Sequence, residues 1–230
     1  MPGYVLMDVS RVKLIGFDMD GTLFNSFSVS YDAMREGFEA FWEELGEDGP
    51  VPSWDTVKRL IGLPSYEFFP AALPESHREH WKLLHKHIGD AEKRRLSDGS
   101  GRCFDGVHET LGKLKARNYI LACLSNASRR YFDAVLDSCA LRGYFDELAY
   151  LGEDPHRSKV DVLSEWAIEY GGKYCVCYIG DRQADIEAAH GAGVGAIGVS
   201  WGYGSRRELA SADRIVNRAT ELLDIFPASR

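Results

Sequence analysis

The sequence lacks an excess of positive charge. Its 27 Lys and Arg residues are outnumbered by 35 Asp and Glu residues, which gives a formal net charge of −8. Non-specific binding to nucleic acids requires a basic surface that displaces counterions from phosphates. The composition therefore argues against nucleic acid as a partner.

The chain also has few features of secreted or membrane proteins. Its five cysteines are odd in number and scattered, which argues against a disulfide framework and favours a reducing compartment. No segment approaches the roughly 18 consecutive apolar residues of a membrane span. Residues 1–10 lack the basic start and apolar stretch of a signal peptide. We therefore expect a cytoplasmic monomer or homodimer with no membrane partner.

One long part of the chain has no strong strand signal. From residue 31 to residue 45, apolar residues recur at three- and four-residue steps, which is typical of an amphipathic helix. A short helix is predicted after Ser53, which can cap it, and another helix from about residue 75 to 96. These patterns predict an all-helical insertion over residues 25–102.

The remainder of the chain alternates between apolar strands and helices. Strands are predicted at residues 12–17, 119–124, 148–151, 174–179, 195–199 and 214–216. Near-continuous apolar strands that alternate with helices indicate a parallel sheet covered on both faces. We therefore predict an α/β fold, with a doubly wound, Rossmann-like core of residues 1–24 and 103–230 and a smaller helical cap of residues 25–102.

Polar side chains follow each of the three strongest strands. Because the carboxyl ends of parallel strands meet at one edge of a sheet, where ligands bind, these groups should converge. One acid alone could be a helix cap, but polar groups after three separate strands indicate a site. In chain order they are Asp18, Asp20, Ser125, Asn126, Asp181 and Asp185.

Carboxylates gathered at one edge need a cation. Two of them about 4 Å apart repel by about 4 kcal/mol at an effective dielectric constant near 20. Hard oxygen ligands favour Mg²⁺, which proteins hold with one or two carboxylates, waters and a substrate phosphate. A divalent ion beside an aspartate suits phosphoryl transfer, in which the aspartate can be the nucleophile. The sequence therefore predicts Mg²⁺ as cofactor and phosphoryl transfer as the class of reaction.

The motifs resemble those of the haloacid dehalogenase superfamily, whose phosphatases carry D-x-D-G-T after the first strand. Here residues 18–22 read DMDGT, residues 121–128 read LACLSNAS, and residues 180–193 read GDRQADIEAAHGAG. The resemblance implies hydrolysis of a phosphate monoester through an aspartyl-phosphate, beneath a mobile cap. The position of the insertion, with IGLP at 61–64 and WGYG at 201–204, looks most like the phosphoglycolate-phosphatase-like subgroup.

The resemblance also implies a role for each matching residue. Asp18 matches the nucleophile, Asp20 matches the general acid and base, and the Ser125 hydroxyl matches the group that binds the phosphoryl oxygens. Residues that complete these phosphate-binding motifs are Gly21, Thr22 and Asn126.

The metal ligands implied by the resemblance are four aspartates. Asp181 is the principal ligand and Asp185 a direct or indirect supporting acid, while Asp18 contributes its carboxylate and Asp20 its backbone carbonyl. A lysine should steady the charge on Asp18. The family usually has proline after that lysine, whereas this chain has Lys159 followed by valine. Arg157 and Lys173 are the alternatives, although Lys173 precedes a strand and should lie at the wrong edge.

Other chemistries of the same fold stay open at this stage. A dehalogenase is disfavoured by Asp20, which those enzymes lack. A phosphonate hydrolase would use a cap lysine as a Schiff base, for which Lys58 is the candidate, and a sugar phosphomutase would release little free phosphate. A receiver domain of a signalling protein is a different class, but it would have no large cap.

Overall fold

The computed structural model describes residues 8–97, 99, 101–152 and 154–228. Within them, strands form one sheet: β1 Leu14–Phe17, β2 Ile120–Ser125, β3 Glu147–Tyr150, β4 Val176–Gly180, β5 Gly195–Val199 and β6 Arg214–Val216. Their order is β3-β2-β1-β4-β5-β6, and every neighbouring pair is parallel. The predicted α/β fold is confirmed. The strand order reverses direction beside β1, so the residues that follow β1 lie at the switch point where such sheets bind ligands.

Helices cover both faces of the sheet. They are α1 Phe27–Leu45, α2 Trp54–Leu60, α3 Ser65–Ala72, α4 Trp81–Ser97, α5 Val107–Ala116, α6 Arg129–Ser138, α7 Lys159–Glu169, α8 Gln183–Ala192 and α9 Leu222–Ile225. Short 3-10 helices occur at Val9–Arg11, Glu75–His80, Arg142–Tyr144, Lys173–Cys175 and Ala219–Glu221. Apolar residues of α5, α6 and α9 pack on one face of the sheet, and those of α7 and α8 on the other. Both faces of the central strands are therefore buried, which explains their continuous apolar runs.

The described residues between β1 and β2 form helices joined by turns and loops and include no strand. Helices α1 to α4 share a hydrophobic cluster of their own, with Phe38, Phe41 and Trp42 from α1 packed against Leu84 and Ile88 from α4. Local signals in the sequence set several helix ends. Gly46 ends α1 in the left-handed conformation, with φ of 69°, and the Ser53 hydroxyl accepts a bond from the Thr56 N–H at the start of α2.

The structure differs from the expected helices at two places in this region. Helix α3 was not predicted from the sequence; Pro70 lies inside it, and a proline normally ends or kinks a helix. The helix nevertheless runs on to Ala72, and the Leu73 N–H then bonds the Pro70 carbonyl. The helix predicted over 75–96 is divided into a 3-10 turn, Glu75–His80, and α4.

The two connections between this helical region and the sheet lie side by side. The Asn25 N–H donates to the Arg102 carbonyl at 2.8 Å, and Phe24 faces Cys103 in an antiparallel bridge. The predicted boundaries after residues 24 and 102 fall on this pair of segments. The division into core and cap domains stays a prediction.

Candidate active site

The chain turns sharply after β1 and buries Asp18. The Met19 carbonyl accepts bonds from the N–H groups of Leu23 and Phe24, both at 2.9 Å. Gly21 adopts a φ of 84° within this turn, and a Cβ atom there would overlap the Asp181 carboxylate. Glycine is therefore required both by the backbone conformation and by the close approach of Asp181.

Lys159 joins two of the acids. As the first residue of α7 it lies near the carboxyl edge of the sheet, and its Nζ donates to Asp18 Oδ1 at 2.6 Å and to Asp185 Oδ1 at 2.8 Å. Lys159 is only 7 % exposed. Burial alone favours the neutral amine, but the charges of Asp18 and Asp185 raise the pKa of the Lys159 ammonium well above its usual range. Lys159 is therefore a cation at neutral pH.

The alternatives to Lys159 lie elsewhere. Arg157 is exposed and pairs with Glu165 on the surface. Lys173 lies in the 3-10 turn before β4, at the opposite end of that strand from Asp181. Of the three candidates, the structure brings Lys159 to Asp18.

The loop after β5 surrounds Asp181. The N–H groups of Tyr203 and Gly204 donate to Asp181 Oδ2 at 2.6 and 3.3 Å. A Cβ atom at Gly202 would overlap the side chain of Asp181. The WGYG segment, residues 201–204, therefore holds an acid of the site in place.

The other oxygen of Asp181 has no such partner. Asp181 Oδ1 is buried and accepts no hydrogen bond within the described chain. Both oxygens of Asp185 are bonded, Oδ1 by Lys159 and Oδ2 by the Arg182 N–H at 3.0 Å. An unpartnered buried carboxylate oxygen is costly unless a cation or water meets it. This contrast fits the prediction of Asp181 as principal ligand and Asp185 as supporting acid.

The donor set suits a hard divalent cation. Asp18, Asp181 and Asp185 offer carboxylate oxygens that all lie within 4.8 Å of one another. Burial raises the pKa of Asp181 to about 7, with the charge of Asp185 adding to the effect. Burial also raises the pKa of Asp18 well above its usual range, against the opposing charge of Lys159. A divalent cation would oppose both shifts by neutralising the crowded charge.

The Asp20 carboxylate points away from this group. Its Oδ1 accepts bonds from the hydroxyls of Ser26 and Tyr131, the latter at 2.9 Å. Burial raises the pKa of Asp20, which suits a group that must hold a proton before giving it to a leaving oxygen. The metal contact expected from the Asp20 backbone carbonyl stays a prediction.

The residues expected to bind phosphate do not all face the same space. The Ser125 hydroxyl accepts a bond from the Ala127 N–H at 3.1 Å. With Asp18 it lines the main cavity, which lies between the sheet edge and α1 to α4. Asn126 lines it too, and its Nδ2 donates to the Gly62 carbonyl at 2.7 Å. The Thr22 side chain instead lines a small apolar cavity below the turn. The structure does not bring the Thr22 hydroxyl to the other site residues.

The main cavity lies between the sheet edge and α1 to α4 and contains about 730 Å³ of space, counting its open mouth. Its core side has Asp18, Asp20, Ser125 and Asn126. The opposite side includes residues from each helix of the insertion: Ser30, Met34, Val57, Phe68, Phe69, His85, Ile88 and Glu92. The cavity thus places the reacting carboxylates at one end and residues of the insertion at the other.

Glu92 and Tyr131 were missed by the sequence reasoning. Tyr131 on α6 donates to Asp20, and its hydroxyl lies 3.2 Å from that of Ser30. Glu92 is half-buried on α4, where burial raises its pKa to about 8 and the Asp20 charge adds to the shift. One signal was present: Glu92 interrupts the apolar i, i+4 row of α4, Leu84, Ile88 and Leu96.

Arg182 is a further residue that the sequence did not reveal. Its Nη1 donates to the backbone carbonyls of Lys58 and Ile61 at 3.1 and 3.3 Å, and its Nε donates to Glu208. Arg182 follows Asp181 directly. A single residue therefore links the acidic loop after β4 to the end of α2.

The family model for haloacid dehalogenase-like hydrolases matches residues 15–199. The chain belongs to this family. It is 30% identical to a phosphoglycolate phosphatase of Pasteurella multocida, over 95% of this chain and 100% of that protein. It is 33% identical to one of Synechococcus elongatus, over 92% and 96%. The crystal structure of a predicted phosphoglycolate phosphatase from Haemophilus somnus superposes with a TM-score of 0.80 at 25% identity, covering 94% of this chain and 99% of that one.

Proposed function

We propose that this haloacid dehalogenase-like hydrolase is a Mg²⁺-dependent phosphatase that acts on a small organic phosphate monoester. The observation that carries the proposal is the buried Asp18–Lys159 pair beside Asp181 and Asp185 at the switch point of the sheet. Relatives that match the whole chain are named phosphoglycolate phosphatase, which supports the same reaction class.

The chemistry follows from the positions of the side chains. The Asp18 carboxylate attacks phosphorus, and the bond to the leaving oxygen breaks as Asp20 gives that oxygen its proton. The Asp20 carboxylate then takes a proton from a water molecule, which attacks the aspartyl-phosphate and releases inorganic phosphate and free Asp18. The charge of Lys159 favours the ionised form of Asp18 against the effect of burial on its pKa, and the Ser125 hydroxyl and Asn126 hold the phosphoryl oxygens.

Asp18, Asp181 and Asp185 would hold the cation, with the Asp20 backbone carbonyl as a further ligand. Bound Mg²⁺ supplies positive charge that neutralises the transferring phosphoryl group. Helices α1 to α4 form a cap, residues 25–102, that excludes water from the cavity while the phosphoryl group moves.

Lys58 argues against the phosphonate-hydrolase alternative. Among the described residues that line the main cavity, Lys58 does not occur. Only its backbone carbonyl takes part in the contact between α2 and Arg182. A Schiff base at Lys58 would therefore form outside the space that holds Asp18.

The decisive test is hydrolysis of an aryl phosphate by the purified protein with and without Mg²⁺. We expect Asp18→Asn to lower kcat by about 10³-fold or more, because the amide cannot act as nucleophile. The matched control is Asp48→Asn, at an exposed loop position. Activity in Asp18→Asn equal to that of the control would refute the mechanism. Free phosphate should equal released alcohol in amount, whereas a phosphomutase would release little of either.

Two observations bear on the compartment in which the protein works. No helix in the described part of the chain is long and apolar enough to cross a membrane. The five cysteines are all free, which supports a reducing compartment. We infer a cytoplasmic enzyme that works as a monomer or homodimer on a small phosphorylated metabolite, and light scattering would distinguish the two assembly states.

A further inference from the structure

The main cavity has two ends with different chemistry. The reacting groups Asp18, Asp20 and Ser125 lie at the sheet edge. The opposite end is formed by the insertion and is mainly apolar, with Met34, Val57, Leu63, Phe68, Phe69 and Ile88 among its lining residues. The alcohol portion of an ester whose phosphoryl group contacts Asp18 would occupy this apolar end. The residues there therefore select the leaving group.

The second feature of the apolar end is its charge. None of the described residues that line the main cavity is lysine or arginine, and Glu92 adds a carboxyl group to its wall. His85 contributes an imidazole that stacks on the Phe69 ring, with centroids 4.4 Å apart. A carboxylate on the leaving group would thus meet no lysine or arginine and would approach Glu92. Glu92 carries no positive charge in either protonation state, and its ionised form repels a carboxylate.

The basic residues of this region lie on the other side of Glu92. Lys82, Lys86 and Lys93 line a second groove, between α4 and α6, and Glu92 and Tyr131 form the wall between the two spaces. Arg130 in that groove is paired with Asp90 at 2.6 Å. Arg182 is bonded to backbone carbonyls and to Glu208. These cations are therefore not available to a leaving group in the main cavity.

We propose that the physiological leaving group is an uncharged, largely apolar alcohol that carries a second hydroxyl group for Glu92. Esters of carboxylate-bearing alcohols, phosphoglycolate included, are then poor substrates. This inference rests on the proposed phosphatase function and specifies the class of ester. The substrate class that it gives this chain differs from the one that the names of its relatives, phosphoglycolate phosphatases, indicate. Glu92 is the residue that determines the preference, because among the described lining residues it is the carboxyl group that the insertion contributes to the cavity wall.

The first test compares two substrates of nearly equal size on the Mg²⁺-loaded enzyme. They are para-(hydroxymethyl)benzyl phosphate and para-carboxybenzyl phosphate, with phosphoglycolate as a third. We expect kcat/KM for the hydroxymethyl ester to exceed that of either carboxylate ester by about tenfold or more. Equal or better hydrolysis of the carboxylate esters would overturn the inference but leave the phosphatase proposal intact. If no ester is hydrolysed, both fail.

The second test changes the substrate preference by substitutions at Glu92 and Leu63. At pH 9, above its pKa of about 8, Glu92 is mainly ionised and Glu92→Gln removes its charge, so we expect the variant to reduce the ratio of the two kcat/KM values measured at that pH by about fivefold. Glu39→Gln, at an exposed position of α1, is the matched control and should leave the ratio unchanged. Leu63 is 37 % exposed at the cavity mouth. Leu63→Arg should raise kcat/KM for the carboxylate ester by about tenfold. An unchanged ratio in both Glu92→Gln and Leu63→Arg would overturn the assignment.

Discussion

Two glycines allow the loops of the site to approach Asp181. Gly21 contacts it from the turn after β1, and Gly202 from the loop after β5. Neither position has room for a methyl group without moving the acid. The position of the Asp181 oxygens, and with it the binding of a cation, therefore depends on the absence of these two side chains.

Gly202→Ala is expected to damage the site more than the fold. The added methyl group overlaps Asp181 and the Gly21 carbonyl, so we expect a loss of about 1–3 kcal/mol in the free energy of unfolding and a weaker effect of Mg²⁺ on stability. Gly143→Ala is the control, because a Cβ atom there meets nothing within 4 Å. Denaturant unfolding with and without Mg²⁺ measures both quantities, and equal behaviour of the two variants would contradict the close packing around Asp181.

The raised pKa of Glu92 predicts a pH-dependent stability. Folding favours the protonated form, so this contribution is fully present below the ordinary value of 4.5 and is lost as pH rises through about 8. Glu92→Gln cannot lose a proton. We therefore expect the Tm of the variant relative to wild type to increase between about pH 5 and pH 9. The same scan of Glu39→Gln should show a constant difference, and a constant difference for Glu92→Gln would exclude the burial effect.

At the scale of elements, Arg182 joins the loop after β4 to the end of α2. Its guanidinium satisfies the Lys58 and Ile61 carbonyls at a helix C-terminus, where such groups have no intrahelical partner. Asn126 makes a third bond to the same segment, at the Gly62 carbonyl. The segment 58–62 is therefore held against the sheet edge by side chains that also border the site.

Arg182→Leu should loosen this segment. Loss of the charged bonds at about 1.5–3 kcal/mol each predicts faster hydrogen exchange, by about tenfold or more, over α2 and the residues after it. Lys58→Ala is a sharp control, because Arg182 bonds the backbone of Lys58 and not its side chain. The control should exchange as wild type does. Unchanged exchange in Arg182→Leu would show that other contacts hold α2.

The sequence predicted the site residues that lie at the ends of strands. Asp18, Ser125 and Asp181 each come directly after or at the end of an apolar run, and a parallel sheet brings such positions together. Glu92 and Tyr131 come from helix faces. Periodicity shows which face of a helix is apolar, but not which neighbour that face meets, so neither residue could be assigned to the site. The same limit concealed Arg182, whose contacts depend on where α2 lies.

For the whole molecule, the cluster of buried acids means that the folded state is less stable without a bound cation than with one. The chain is acidic overall, with a net charge of −8, and three carboxylates with buried side chains share one small space. A cation bound only by the folded state raises stability by about 2.7 kcal/mol at 100 times its Kd.

Mg²⁺ should therefore raise the Tm of the wild-type protein, and a chelator should reverse the effect. Asp181→Asn removes a charge from the cluster, so we expect it to abolish most of the shift. Glu165→Gln provides an exposed surface control that should keep the full shift. A shift of equal size in Asp181→Asn would mean that the ion binds elsewhere. The experiment needs no substrate and is independent of the choice of ester.

The paired connections at Asn25 and Arg102 determine how the insertion can move. Two chain segments tied by a hydrogen bond and an antiparallel bridge resist twisting and stretching more than a single strand does, but they can still bend. We therefore expect opening to be a swing about one axis. Such a motion would lift the segment 58–62 and Glu92 from the sheet edge together. The ester would then enter and the alcohol would leave by the same swinging motion. The alcohol could not leave while the insertion still covered the phosphoryl group.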